Sequence, residues 1–217
     1  MIELYPSLLA VPAQDIDKTV KLLEPYCPGF HIDIMDNQFV PNMGISVEKA
    51  NAIGQLTYRQ LWVHLMVHDA DDYVNRLQLP PDTIVTFHLE SHKKIPGIIN
   101  TILEKKWLPG IAIKPKTGVN EVFPFLDLIY QVLIMTVEPG FSGQQFMQEM
   151  LDKVDPLLGY KDTSRGDFKI ALDGGINEKN LRLIAQKNVD QVAIGSALFE
   201  AKVGPVKAYE LFSALVE

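Results

Sequence analysis

The chain is 217 residues long with a formal net charge of −7, a size that suits one domain of barrel or open α/β dimensions. Hydrophobic residues make up 47% and charged residues 22%, so the chain reads as globular rather than disordered. The acidic balance argues against a nucleic-acid surface, which needs clustered Lys and Arg, but leaves room for a small phosphorylated ligand held by backbone N–H groups.

Short β-branched runs alternate with segments of helical spacing. The strand candidates cover residues 2–9, 29–35, 60–67, 83–88, 110–114, 131–136, 168–173 and 191–195. The helix candidates between them cover 13–23, 47–53, 70–77, 95–105, 119–126, 146–158, 178–186 and 203–215. Eight strand–helix units predict a closed parallel (β/α)8 barrel, with residues 1–217 forming a single domain. Asn177, just before Glu178, is placed to cap a helix, and Leu79-Pro80-Pro81 and Trp107-Leu108-Pro109-Gly110 punctuate the joins. A doubly wound open sheet is the alternative. It usually carries a Gly-rich turn after its first strand, where this chain has Pro6-Ser7-Leu8-Leu9.

The N-terminal stretch lacks a basic region followed by a long apolar one, and no apolar run approaches the ~20 residues that span a bilayer. A soluble cytoplasmic protein is therefore expected. The single cysteine, Cys27, excludes an internal disulfide and reads as a small buried apolar residue.

In a parallel barrel the C-terminal strand ends build the active site. Polar residues collect there: Ser7, His31 and Asp33, His64, His88, Lys114, Asp173, and Gly195 with Ser196. Residues two apart on a strand share a face, so His31, Asp33 and Met35 point inward together, as do Trp62, His64 and Met66. Ile32, Ile34, Val63, Leu65 and Val67 are left to pack on the outer helices. Charge on the inner face is costly unless paired or bound to metal. His31, Asp33, His64 and Asp173 thus make a candidate N2O2 set for Zn, Mn, Fe or Co. Taken singly, each reads better as a hydrogen-bonded core residue; the four together at the rim, beside glycine-rich turns, do not. His68 and His92 are expected to be solvent-exposed loop histidines.

Two glycine turns, Asp173-Gly174-Gly175 and Gly195-Ser196, end the seventh and eighth strands, where barrels commonly hold a phosphate on backbone amides. A third, Pro139-Gly140-Phe141-Ser142-Gly143, is expected to form a lid with an apolar tip.

The stretch His31-Ile32-Asp33-Ile34-Met35-Asp36-Asn37-Gln38-Phe39-Val40-Pro41-Asn42 resembles the signature of ribulose-phosphate 3-epimerases. So do residues 63–66, 86–88, 110–115, 135–144, 172–176 and 195–199, in order along nearly the whole chain. The resemblance implies a TIM barrel of the ribulose-phosphate-binding type that interconverts D-ribulose 5-phosphate and D-xylulose 5-phosphate, an isomerase of carbohydrate metabolism. It implies one divalent metal ion on His31, Asp33, His64 and Asp173. Asp33 and Asp173 would be the acid/base pair, since moving a proton from one face of a carbon to the other suits two carboxylates. The metal would polarise the ketone and hold the developing enediolate. Ser7 and His64 would touch the substrate. Gly140, Phe141, Ser142 and Gly143, with Asp173, Gly174, Gly175, Gly195 and Ser196, would enclose its phosphorylated body. Met35, Met66 and Met135 would form a polarizable wall around the intermediate, though plain barrel packing accounts for them nearly as well. The resemblance implies a small ketose phosphate as partner, with no nucleic acid or membrane, and a homo-oligomer, as relatives commonly are.

Some positions depart from that pattern. Asn37 and Ser142 stand where glycine is common, and Leu8-Leu9-Ala10-Val11-Pro12 lacks a usual polar residue. Trp62 replaces a usual Asp two residues before His64, and Trp cannot accept a hydrogen bond. Three other readings stay open: a hexulose-phosphate 3-epimerase of the allulose 6-phosphate type, a metal-free decarboxylase- or synthase-like barrel, and a non-catalytic sugar-phosphate binder.

Overall fold

Eight parallel strands lie in one sheet in a computed structural model that describes residues 1–91, 94–164 and 166–216. They are β1 (Glu3–Pro6), β2 (Gly29–Met35), β3 (Gln60–Met66), β4 (Ile84–His88), β5 (Leu108–Ile113), β6 (Gln131–Met135), β7 (Lys169–Asp173) and β8 (Gln191–Ile194). The order β1-β8-β7-β6-β5-β4-β3-β2 places β1 and β2 at the two ends of the list. A parallel bridge between Ser7 and His31 joins those ends and nearly closes the barrel. The seam of the barrel therefore lies at the rim residues singled out above. His92 lies outside the described residues, while His68 is exposed as expected.

The helices are α1 (Ile16–Leu23), α2 (Val47–Leu56), α3 (Ala70–Arg76), α4 (Ile95–Glu104), α5 (Val154–Ser164), α6 (Glu178–Ile184), α7 (Ser196–Phe199) and α8 (Pro205–Ser213). Their starts follow capping chemistry. The Asn177 side chain accepts from the Lys179 and Asn180 backbones, and the Asn180 side chain accepts in return from the Asn177 N–H. Pro205 occupies the first turn of α8, where its missing N–H costs nothing.

Several elements differ from the sequence expectation. The first strand stops at Pro6, although the Ser7 N–H still bonds Ile194 O at 2.9 Å, and Leu8–Ala10 winds into a 3-10 turn. The helix expected over 119–126 is a run of 3-10 turns over Val119–Leu128, because Pro124 lies inside it and removes an α-helical donor. The helix expected over 146–158 opens as a 3-10 turn at Gln148–Lys153 and becomes α-helical only from Val154.

Strand parity sorts the core into layers. Ile32, Ile34, Val63, Leu65 and Val67 pack outward with the helices. Tyr5, Trp62, Ile84, Leu133 and Met135 fill the barrel interior. Among them runs a buried polar belt: Trp62 Nε1 donates to Thr86 Oγ1 (3.0 Å), Thr86 Oγ1 to Gln131 Oε1 (2.7 Å), and Gln131 Nε2 to Gln191 Oε1 (2.8 Å). Each polar group in this belt finds a partner, which is what makes its burial tolerable.

Candidate metal centre

The parallel register sets Asp33 beside His64 on the neighbouring strand, and Asp173 beside Met135. His31, Asp33 and His64 are buried, whereas the Asp173 side chain keeps 16% of its exposure. Ser7 Oγ donates to Asp33 Oδ2 at 2.8 Å, and His31 Nδ1 lies 3.1 Å from the same oxygen. Asp33 Oδ1 is 3.3 Å from His64 Nδ1, and Asp173 Oδ2 is 3.5 Å from that nitrogen.

Two nitrogens are left over. His31 Nε2 and His64 Nδ1 are buried without a hydrogen-bond partner, although His64 Nδ1 has both carboxylates within ion-pair range. Its direction suits neither oxygen. Buried polar atoms are rarely orphaned, and a nitrogen kept for a cation is one such case. One ligand atom from each of His31, Asp33, His64 and Asp173 can be chosen so that all lie within 4.8 Å of one another. Two imidazole nitrogens with two carboxylates form a donor set for a divalent ion of the Zn, Fe, Mn or Co type. The residues fit a metal.

The electrostatics point the same way. Burial acts to raise the Asp33 carboxyl, but the His31 and His64 imidazoles outweigh it and hold the group well below the ordinary carboxylate range. Burial acts to lower His64, but Asp173 and Asp33 outweigh it and push the imidazole up to about 9. Without a metal, a proton on His64 supplies the positive charge that the two carboxylates demand.

The cleft above this cluster holds about 550 Å³ of empty space, part of it open to solvent. It is lined by Ser7, Asp33, Asp173, the three methionines Met35, Met66 and Met135, and the glycine turns at 140–143, 174–175 and 195–196. His31 and His64 are not on its wall. They are fully buried while the Asp173 side chain reaches it, so the histidines stand behind the carboxylates. Gly175 has φ +66, and a Cβ there would come within 2.6 Å of Gln144 O and Phe146 N. The turn after β7 therefore packs directly on the segment that follows the 139–143 loop, and only glycine permits this approach. Asn42 Nδ2 donates to Gly140 O at 2.7 Å, tying that loop to the one after β2. The tip residue Phe141 is exposed.

Sequence reasoning assigned no role to His88 and Glu90. His88 is fully buried, with Nε2 at 2.9 Å from His64 Nε2 and Nδ1 at 3.1 Å from Glu90 Oε2. Burial pushes His88 down to about 4, against the pull of Glu90. Glu90, which burial would raise, is brought down to about 2 by His88, Thr117 and the Lys114 N–H. Parity offered a signal, since Thr86 and His88 alternate on β4 as His31 and Asp33 do on β2.

The fold and these residues define a (β/α)8 barrel with a candidate metal centre opening into a glycine-lined cleft. Among the described residues, no helix is long and apolar enough to cross a membrane. The ribulose-phosphate 3 epimerase family model matches residues 3–199. Among curated relatives, the Schizosaccharomyces pombe ribulose-phosphate 3-epimerase is 35% identical, covering 92% of this chain and 88% of its own. The Oryza sativa cytoplasmic isoform of ribulose-phosphate 3-epimerase is 34% identical over 98% of this chain and 92% of its own. Solved structures of similar fold include KGPDC from Streptococcus mutans, with TM-score 0.74 and 15% identity, covering 99% of this chain and 97% of that one. A 3-hexulose-6-phosphate synthase from Salmonella typhimurium aligns with TM-score 0.71 and 15% identity, covering 99% and 98%. At that identity these two structures support the barrel alone. The chain belongs to the ribulose-phosphate 3-epimerase family.

Proposed function

We propose that this protein is a ketose-phosphate 3-epimerase that interconverts D-ribulose 5-phosphate and D-xylulose 5-phosphate. The observation that carries this reading is the pair of carboxylates, Asp33 and Asp173, on the wall of one cleft, with two unpartnered imidazole nitrogens behind them. A divalent metal held by His31 Nε2, Asp33, His64 Nδ1 and Asp173 would supply Lewis-acid polarisation of the C2 ketone, which acidifies the hydrogen on C3.

The chain's own groups do the rest. Asp33 is kept ionised by its histidine neighbours, as a base must be at neutral pH. It takes the C3 proton from one face, and Asp173 delivers a proton to the other. In the return direction the two exchange roles. Ser7 Oγ, 2.8 Å from Asp33 Oδ2, steers that carboxylate. Met35, Met66 and Met135 give the reacting carbon a water-poor wall and so protect a carbanionic intermediate from stray protonation. Backbone N–H groups of the turns at Gly174-Gly175 and Gly195-Ser196 hold the phosphate, and Gly140 to Gly143 cover it.

The test is to follow solvent deuterium into C3 of ribulose 5-phosphate and to measure rates on five- and six-carbon ketose phosphates side by side. Faster turnover of the pentulose phosphate is expected. A clear preference for the hexulose phosphate would move the substrate assignment, and exchange into no ketose phosphate would leave only a binding barrel.

A further inference from the structure

Behind the cleft, a line of contacts leads from His64 away from the carboxylates. His88 stacks on His64 with ring centroids 5.0 Å apart and 28° between planes, and their Nε2 atoms are 2.9 Å apart. His88 Nδ1 lies 3.1 Å from Glu90 Oε2. Glu90 Oε1 accepts from the Lys114 backbone N–H at 2.8 Å and from Thr117 Oγ1. Lys153 Nζ locks that loop by donating to the carbonyls of Lys114, Pro115 and Thr117 at 2.9, 2.8 and 2.8 Å. The line is unbroken from a candidate metal ligand on β3 to the loop after β5.

Counting donors along it gives the proton arrangement that suits a cation on His64. An ionised carboxylate only accepts, so Glu90 Oε2 accepts from His88 Nδ1–H. A neutral imidazole carries one N–H, so His88 Nε2 is left with a lone pair. Two ring nitrogens at 2.9 Å need one donor, and that donor is His64 Nε2–H. When His64 gives up its second proton to a cation, the proton kept on Nε2 leaves Nδ1 bare. That is the unpartnered atom facing Asp33 and Asp173. Reversing any one proton along the line would put hydrogen on Nδ1 and block it as a ligand.

We infer that His88 and Glu90 are positioning residues that set the tautomer and ring orientation of His64 for cation binding. This rests on the metal-centre reading above. Neither residue touches substrate or cation. Their effect reaches the reaction only through His64, and Glu90 acts through His88.

The direct test is nitrogen NMR of the Zn2+-loaded wild-type protein labelled with 15N-histidine, which needs no substitution. His88 is expected as the Nδ1–H tautomer and His64 as the Nε2–H tautomer with Nδ1 on the metal. His88 protonated on Nε2 would overturn the inference. The second measurement is calorimetric titration of Zn2+ into chelator-stripped wild type and Glu90→Gln. The amide can donate to His88 Nδ1 and reverse the line, so Zn2+ affinity should fall about ten- to a hundredfold. At saturating Zn2+, KM for the ketose phosphate should stay at the wild-type value. A folded Glu90→Gln with unchanged Zn2+ affinity would overturn the inference while the metal centre stands. A wild type that takes up no Zn2+ would overturn both. If Glu90→Gln does not fold, the wild-type tautomers decide.

Discussion

Replacing Asp33 by Asn separates the proton-transfer role of this carboxylate from its packing. Oδ2 accepts from Ser7 Oγ at 2.8 Å and lies 3.1 Å from His31 Nδ1. An amide oxygen can serve both groups, so the seam between β1 and β2 should hold. What disappears is a group that takes a proton at neutral pH. A positioned general base contributes about 10² to 10⁴ in rate. At 1.36 kcal/mol per tenfold, that is about 2.7 to 5.4 kcal/mol of barrier. We expect turnover to fall at least about a hundredfold at saturating Zn2+. The loss should also be one-sided. Asp33→Asn still has Asp173 on the opposite face, so it should exchange the C3 hydrogen of one epimer only, and Asp173→Asn that of the other. Proton NMR of ribulose 5-phosphate and xylulose 5-phosphate, incubated separately in D2O, reads both exchanges. Near-normal turnover in either variant, or one variant exchanging both epimers, would refute the two-base scheme.

Other perturbations test the scaffold around the site. Trp62→Phe removes the buried 3.0 Å bond to Thr86 Oγ1 and some ring volume, and should cost about 1–3 kcal/mol in urea denaturation; a change too small to resolve would show that the bond contributes nothing. Gly175→Ala forces a Cβ to within 2.6 Å of backbone at φ +66, so stability should fall by more than about 1 kcal/mol and KM should rise together with it. Burial pushes the Cys27 thiol up to about 12, so iodoacetamide at pH 8 should modify the unfolded chain and spare the native one; rapid native labelling would contradict the burial. In metal-free protein Asp33 titrates below its unfolded value of about 3.9, so the stability it contributes is complete above that pH and lost as pH falls through and below it. The melting temperature of metal-free wild type should therefore drop more steeply between about pH 5 and 3 than that of Asp33→Asn.

The barrel was legible because its signals are local. Alternation along residues 31–35 and 62–66 assigns inward and outward faces without knowledge of the neighbouring strands, and both assignments hold in the core layers. Element ends were less legible. The first strand ends at Pro6 although its apolar run continues to Leu9, and Pro124 turns an amphipathic pattern into 3-10 turns. Hydrophobic spacing alone weighs neither proline. The His64–His88–Glu90 line depends on register between β3 and β4 and on a loop held by Lys153, 36 to 39 residues away in sequence. No local pattern encodes it. The burial of His64 behind Asp33 and Asp173 is likewise a product of three strands meeting.

Trp62 shows how a departure from the family pattern is absorbed. A donor-only indole cannot take the proton of His31 Nδ1, and its own N–H is turned away to Thr86 and the polar belt. Its ring meets the His31 ring edge-on, with centroids 4.6 Å apart at 83°, which supports orientation without a hydrogen bond. His31 Nδ1 faces Asp33 Oδ2, so Asp33 itself supplies the support. The two histidines are thus braced differently: His64 by His88 outside the cluster, His31 by a carboxylate inside it. Both arrangements leave a buried nitrogen unpartnered beside the same two acids. The barrel is shared with KGPDC and with 3-hexulose-6-phosphate synthase. Because one barrel hosts differently named proteins, the fold cannot select the chemistry, and the selection falls to these side chains. An epimerase reading is compatible with Trp62 because both carboxylates and both unpartnered nitrogens stay in place beside it.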